Sequence, residues 1–221
     1  MPTILLVRHG QASFGGADYD ELSERGRRQA TAVDHELAGR RLHVARLVSG
    51  SLRRQRDTAA PAAQALGAEL TVDPRLNEYD MDEILAHHST TDVRTAGSTV
   101  SSAEFQDLLE DALARWIGAG GDTPAAESWP AFADRTRSAL AELAAGLPSG
   151  ATAVAFTSGG AIAAMCGLVT GLGAPALIPL NRVMVNGSIT KLVHGRRGTS
   201  LLTFNEHTFL ELAEPPLVTY R

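Results

Sequence analysis

The sequence predicts an α/β fold of three layers, with helices on both faces of a mostly parallel sheet, and three observations predict it. Thr3-Ile4-Leu5-Leu6-Val7 is an aliphatic run without polar alternation, the pattern of a central strand buried on both faces. Strand-like and helix-like stretches then alternate along the chain, as parallel sheets with crossover helices require. The apolar stretches at 44–49 and 151–157 both run into small residues and then a helical pattern. Open α/β sheets bind ligands at such carboxyl ends of strands.

The first strand ends at Arg8, His9 and Gly10. A cation and an imidazole there project into the usual ligand position, and Gly10 permits a sharp turn and a close approach. A solvated strand end is the other reading of the pair. A glycine-containing loop follows over 11–20, with Gln11 and Ser13 beside the turn. Ser23 caps a helix that runs to about Gly39, with Ala30, Val33 and Leu37 on one face.

Val44 to Ser49 is the second strand, and Gly50-Ser51-Leu52-Arg53-Arg54-Gln55-Arg56 is its turn and the start of a helix. Unpaired backbone N–H groups and the helix dipole favour an anion there. Arginine adds planar, paired donors that match phosphate oxygens and stay charged. The cluster therefore reads as a phosphate grip, with surface ion pairing the better reading of Arg53 and Arg56.

Glu69 to Val72 is the third strand, and the loop after it carries Glu78. Over 80–127 the pattern loosens, with one helical stretch near Ala103 to Ile117. His87 and His88 lack the spacing of a metal site and read as solvated loop residues. Ser128-Trp129-Pro130 starts a helix with Phe132, Ala139, Leu140 and Leu143 as its apolar stripe. Ala151 to Thr157 is an apolar strand that enters Ser158-Gly159-Gly160, a second anion-receptive turn, and a helix over Ala161 to Leu172. Val183 to Val193 and Ser200 to Phe204 are expected as two last strands around a turn at 194–198. They complete the sheet edge, one of them antiparallel. The edge strand leaves two expectations open, pairing across a homodimer or an ordinary covered edge.

Composition narrows the function. The 221 residues suit a single domain, and 44% hydrophobic with 20% charged residues is ordinary for a soluble globular chain. A net charge of -5 gives no general attraction to nucleic acid or an anionic membrane, so neither is expected as a partner. The single cysteine, Cys166, rules out an internal disulfide and falls in an apolar helical pattern, a buried structural position. The opening apolar run ends at Val7, too short for a signal peptide or a membrane span, and a cytoplasmic location is expected.

Three motifs in order carry a resemblance. Arg8-His9-Gly10 ends the first strand; Leu22-Ser23-Glu24-Arg25-Gly26-Arg27-Arg28-Gln29-Ala30 follows; Leu52, Arg54, Thr58 and Ala59 then fit Ser-x-Leu-x-Arg-x-x-x-Thr-Ala with Gly50 in the serine's place. Together they resemble the histidine phosphatase superfamily, which includes cofactor-dependent phosphoglycerate mutases and many broad phosphatases. The resemblance implies a phosphoglycerate mutase-like sandwich with a helical cap insertion at about 80–127. It implies that His9 attacks phosphorus to form a phosphohistidine, that Arg8 and Arg54 bind the phosphate and keep the imidazole neutral, and that Glu78 of a Leu-x-Glu segment donates the proton.

The family carries His-Gly-Gly where this chain has Ser158-Gly159-Gly160. Ser158 is then expected in the place of a second histidine, beside Gly159 and the turn's N–H groups, with His207 the candidate to fill that place from elsewhere in the chain. The expected function is hydrolysis of a small-molecule phosphomonoester without cofactor or metal, since no ligand cluster is visible and arginines supply the charge. Two alternatives stand beside it, a phosphoglycerate mutase and a non-catalytic phospholigand-binding module. A mutase holds a second acidic group, yet Arg94 and Arg115 are the only basic residues in 80–127.

Overall fold

The computed structural model describes residues 1–13, 19–90 and 101–220, so residues 14–18 of the expected loop and Arg94 lie outside the described residues. Strands β1 (Thr3–Arg8), β2 (Val44–Ser49), β3 (Leu70–Val72), β4 (Thr152–Thr157), β5 (Ile189–Gly195) and β6 (Gly198–Glu206) form one sheet in the order β3-β2-β4-β1-β5-β6. The pairs β1–β4, β2–β4 and β2–β3 are parallel, and β5 is antiparallel to both β1 and β6. The aliphatic run at the start of the chain becomes a central strand because only a position covered on both faces buries all of it.

Alternate residues of β1 enter different layers. Leu5 and Val7 pack with Val33 and Leu37 of α1 (Glu24–Gly39) and Ala59 and Ala62 of α2 (Arg53–Leu66). Ile4 and Leu6 face the opposite core, built from α3 (Met81–His88), α4 (Ser102–Ala119), α5 (Trp129–Ala144), α6 (Gly159–Thr170) and α7 (Leu177–Arg182). A last short helix, α8 (Thr208–Glu211), puts Leu210 into a small cluster with Val185 and Leu217. Among the described residues no helix is long and apolar enough to cross a membrane.

The described residues of the segment expected as an insertion, 80–90 and 101–127, contribute to the main core. Ile84, Leu85, Leu109, Leu113 and Trp116 are all buried there. The Trp116 ring lies 5.7 Å from each of Tyr79, Trp129 and Phe132, and its Nε1–H donates to the Glu127 carbonyl at 2.8 Å. An indole fits an apolar core when its one N–H finds an acceptor.

Several expectations need correction. Val183 to Val193 is not one strand: Leu177–Arg182 is helical, the chain turns through 183–188, and the strand starts only at Ile189. The β-branched pattern misleads because this segment wraps the end of β1, where Gly187 at φ 78° donates its N–H to the carbonyls of Arg8 and His9. The final hairpin is longer than expected and turns at residues 196–197. His87 and His88 are not loop residues but the last turn of α3, where His88 Nε2 lies 2.7 Å from Thr123 Oγ1 and His87 3.5 Å from Glu83. The helix expected from Ala161 already includes Gly159 and Gly160.

Candidate active site

Parallel pairing fixes where the site sits. Arg8 lies in register with Thr157, and the His9 N–H donates to the Thr157 carbonyl at 2.9 Å. Arg8-His9-Gly10 and Ser158-Gly159-Gly160 therefore leave the sheet side by side. The next strand, β2, ends at the same edge and delivers the N-terminus of α2 with Arg54.

His9 is buried, and its Nδ1 lies 2.7 Å from the Gly10 carbonyl oxygen. A carbonyl only accepts, so Nδ1 carries the proton and Nε2 keeps its lone pair. Arg54 Nε donates to that Nε2 at 3.3 Å. The same guanidinium reaches Asp20 Oδ1 through Nη1 at 2.7 Å and lies over the Tyr19 ring, 5.5 Å from its centroid. Asp20 also accepts from the Arg53 N–H at 2.7 Å, so one carboxylate caps α2 and pairs with Arg54. The Arg53 side chain points outward to Glu21 and Asp57, and Arg56 is exposed.

Arg8 is equally buried. Its Nη1 donates to the Met184 carbonyl and, at 2.9 Å, to that of Tyr220. Glu78 caps α6, with Oε2 accepting from the Gly160 N–H at 2.9 Å. Arg135 holds the loop before it by donating from Nη1 to the carbonyls of Arg75 at 2.9 Å and Asn77 at 2.7 Å, while its Nε pairs with Glu127 at 2.6 Å.

Two of the turn glycines that leave no room for a side chain lie beside His9 and Glu78. A Cβ on Gly10 would lie 2.5 Å from the Gly26 carbonyl oxygen, and one on Gly160 would lie 2.3 Å from Glu78 Oε1. The Gly10 N–H donates to Thr58 Oγ1 at 3.0 Å, which ties the histidine turn to α2. Gly159 sits against Arg8 and Asn181.

Other expected site residues lie differently. Gln11 turns toward α1, where its Oε1 accepts from Ser23 Oγ at 3.0 Å, and Ser13 is held by its N–H to the Glu21 carbonyl at 2.8 Å. Ser158 is fully buried, its Oγ accepting from Gln55 Nε2 at 2.8 Å. His207 follows β6, two strands from β1, with Nδ1 2.5 Å from the Asn205 carbonyl oxygen and Nε2 3.4 Å from Glu211.

Sequence reasoning missed Asp20, Asn181, Tyr79 and the Tyr220 carbonyl. Asn181 Nδ2 donates to the Tyr79 hydroxyl at 3.0 Å beneath Gly159. Only Tyr79, adjacent to Glu78, carried a positional signal; the Tyr220 contact is made by backbone and leaves none.

Histidine, two arginines and a carboxylate at the carboxyl ends of parallel strands define an anion-receptive site in a three-layer α/β protein. The model of the histidine phosphatase superfamily, branch 1, matches residues 4–207, and the chain belongs to that superfamily. It is 30% identical to the probable phosphoglycerate mutase GpmB of Citrobacter koseri over 198 residues, 87% of this chain and 85% of that one. The mycobacterial glucosyl-3-phosphoglycerate phosphatase solved with VO3 superposes with a TM-score of 0.68 at 27% identity, covering 92% of this chain and 98% of the other. A phosphoserine phosphatase from Entamoeba histolytica shares the fold, with a TM-score of 0.69 at 17% identity over 95% of this chain and 100% of that one.

Proposed function

We propose that the chain hydrolyses small-molecule phosphomonoesters through a phosphohistidine on His9, without a metal ion. The observation that carries this reading is the placement of the imidazole: Nδ1 lies 2.7 Å from the Gly10 carbonyl oxygen, which can only accept, so the lone pair stays on Nε2, which faces the Arg54 guanidinium. That is the arrangement of a nucleophile beside a phosphate-binding cation.

In the first step the Nε2 lone pair attacks phosphorus in line. The bond to the ester oxygen breaks, and Glu78 gives its proton to the departing alkoxide. Arg8 and Arg54 hold the non-bridging oxygens, positioning and charge being most of what phosphoryl transfer needs. In the second step Glu78, now a carboxylate, takes a proton from water as its oxygen attacks phosphorus. The P–N bond breaks, phosphate leaves, and the Nε2 lone pair is restored.

The test is phosphate release from an aryl phosphate in the presence of a chelator, for the native protein and for His9→Ala. Activity that persists in chelator and is lost in the variant is the expected result. Activity that survives His9→Ala overturns the reading. The name of the Citrobacter relative favours a second reading, mutase-type transfer. Interconversion of 3-phosphoglycerate and 2-phosphoglycerate that outpaces phosphate release would select it.

A further inference from the structure

Gly50 and Ser158 are two places where the chain departs from the family motifs, and one side chain joins them. Gln55, in the first turn of α2, is fully buried. Its Nε2 donates to Ser158 Oγ at 2.8 Å and to the Leu76 carbonyl at 3.1 Å, and its Oε1 accepts from the Leu52 N–H at 3.3 Å. Its amide occupies the room that the glycine leaves, since a Cβ at residue 50 would lie 1.9 Å from Gln55 Oε1 and 2.7 Å from its Cδ. The two departures are one packed arrangement.

Those bonds meet three elements of the site. Leu52 precedes Arg54 on α2, Leu76 precedes Glu78, and Ser158 precedes the Gly159-Gly160 start of α6. A buried amide whose polar atoms are all bonded fixes its neighbours, because breaking any one bond leaves an unsatisfied group. It is also uncharged, so nothing in the unit titrates.

We propose that Gln55 is a positioning residue, the centre of a neutral Gly50–Gln55–Ser158 unit that fills the place of a second imidazole. The proposal rests on the phosphatase reading above. One consequence is that an imidazole at residue 158, extending along the line of Ser158 Oγ, meets the Gln55 amide 2.8 Å beyond it. Another is that the rate of the native protein depends on one site imidazole, that of His9.

The experiment compares the native protein with Gln55→Ala, Ser158→His and the double variant, reading the melting temperature and the pH profile of aryl phosphate hydrolysis. Gln55→Ala removes all three buried bonds of the amide and is expected to lower kcat/KM by about tenfold or more. Ser158→His is expected to lower both melting temperature and activity. Adding Gln55→Ala should restore both and introduce a second ionisation at about pH 5 to 8, where imidazoles titrate. Ser158→His as stable and active as the native protein overturns the proposal, as does a double variant no better than Ser158→His. A native protein that releases no phosphate from any ester would sink the phosphatase reading alone, because the melting temperatures of the four proteins still decide whether Gln55 and the ring at 158 compete.

Discussion

Arg54 Nε lies 3.3 Å from His9 Nε2, while Nη1 of the same guanidinium lies 2.7 Å from Asp20 Oδ1. One rigid fork thus joins the imidazole to a carboxylate that also caps α2. That carboxylate already orients the arginine, and an anion arriving beside His9 would have to share Arg54 with Asp20.

Arg54→Ala should lower kcat/KM for an aryl phosphate by roughly 10²–10³, the effect of removing one aimed donor from a developing charge. Arg54→Lys should recover little, since an ammonium is a point charge and does not reach the imidazole and the anion together. Steady-state kinetics of the two variants check this. A lysine variant near native rates would mean that charge alone, not the fork, serves the site.

Gly160→Ala places a Cβ 2.3 Å from Glu78 Oε1 and 2.4 Å from the Tyr79 ring, so the carboxyl must move. Its effect should follow the leaving group. Alkyl phosphates, whose alkoxides need a proton, should lose far more kcat/KM, which reports the phosphoryl transfer to His9 and not the later water attack, than a nitrophenyl phosphate, whose leaving group departs unaided. Glu78→Gln should show the same pattern. Equal losses on both substrate types would remove Glu78 as the proton donor.

Arg135 reaches Glu78 only through backbone, holding the carbonyls of Arg75, Asn77 and Glu78. Arg135→Ala leaves those carbonyls and Glu127 without their donor, and should cost about 1–3 kcal/mol of stability. It should also reduce kcat more than it raises KM, because the loop carrying the acid loosens while the phosphate grip stays. Denaturant titration and kinetics read the two effects separately, and a change in KM alone would contradict the second.

Burial pushes the Cys166 thiol up to about 12. The native state therefore keeps the proton while the unfolded chain loses it near pH ~8.5. Stability from this group is full below that pH and falls as pH rises toward 12, by at most about 1.4 kcal/mol per unit. A thiol reagent at mildly alkaline pH should react only as fast as the protein unfolds. Rapid labelling of the native protein would place the thiol outside the core.

The sheet and its site-bearing turns were legible because local patterns and burial agree. The run Ile4 to Val7 has no polar residue and is buried, Ser23 caps α1 by accepting from the Gly26 N–H, and Arg54 stands apart from Arg53 and Arg56 by its place in the motif. What escaped was set by long-range contacts. Val183 to Ser188 looks extended but is shaped by the end of β1. Asp20 and Asn181 are ordinary surface types whose partners lie 34 and 102 positions away. Ser158 was legible as a departure, but Gln55 gave no sign of being its partner.

The tail after α8 returns to the first strand, and its removal tests how much Arg8 depends on it. Gln29 Nε2 donates to the Leu217 carbonyl at 2.7 Å and to Thr219 Oγ1 at 2.9 Å, and the Asn186 N–H donates to the Thr219 carbonyl at 2.9 Å. The Tyr220 carbonyl, one residue on, accepts from Arg8 Nη1. Gln29 also receives the Gln11 N–H through Oε1 at 2.7 Å, so the tail braces both the arginine and the turn after Gly10. Deleting residues 217–221 strips the buried Gln29 amide of both acceptors and frees one side of the Arg8 guanidinium. The expected result is a lower melting temperature and a raised KM for phosphate esters, because an arginine free to swing loses the orientation that matches phosphate oxygens. Thr219→Val separates the two effects: it removes the hydroxyl that Gln29 and Asn186 share but keeps the Tyr220 backbone, so it should lower stability with little change in KM. A truncated protein with native KM would show that the Tyr220 carbonyl does not set the orientation of Arg8.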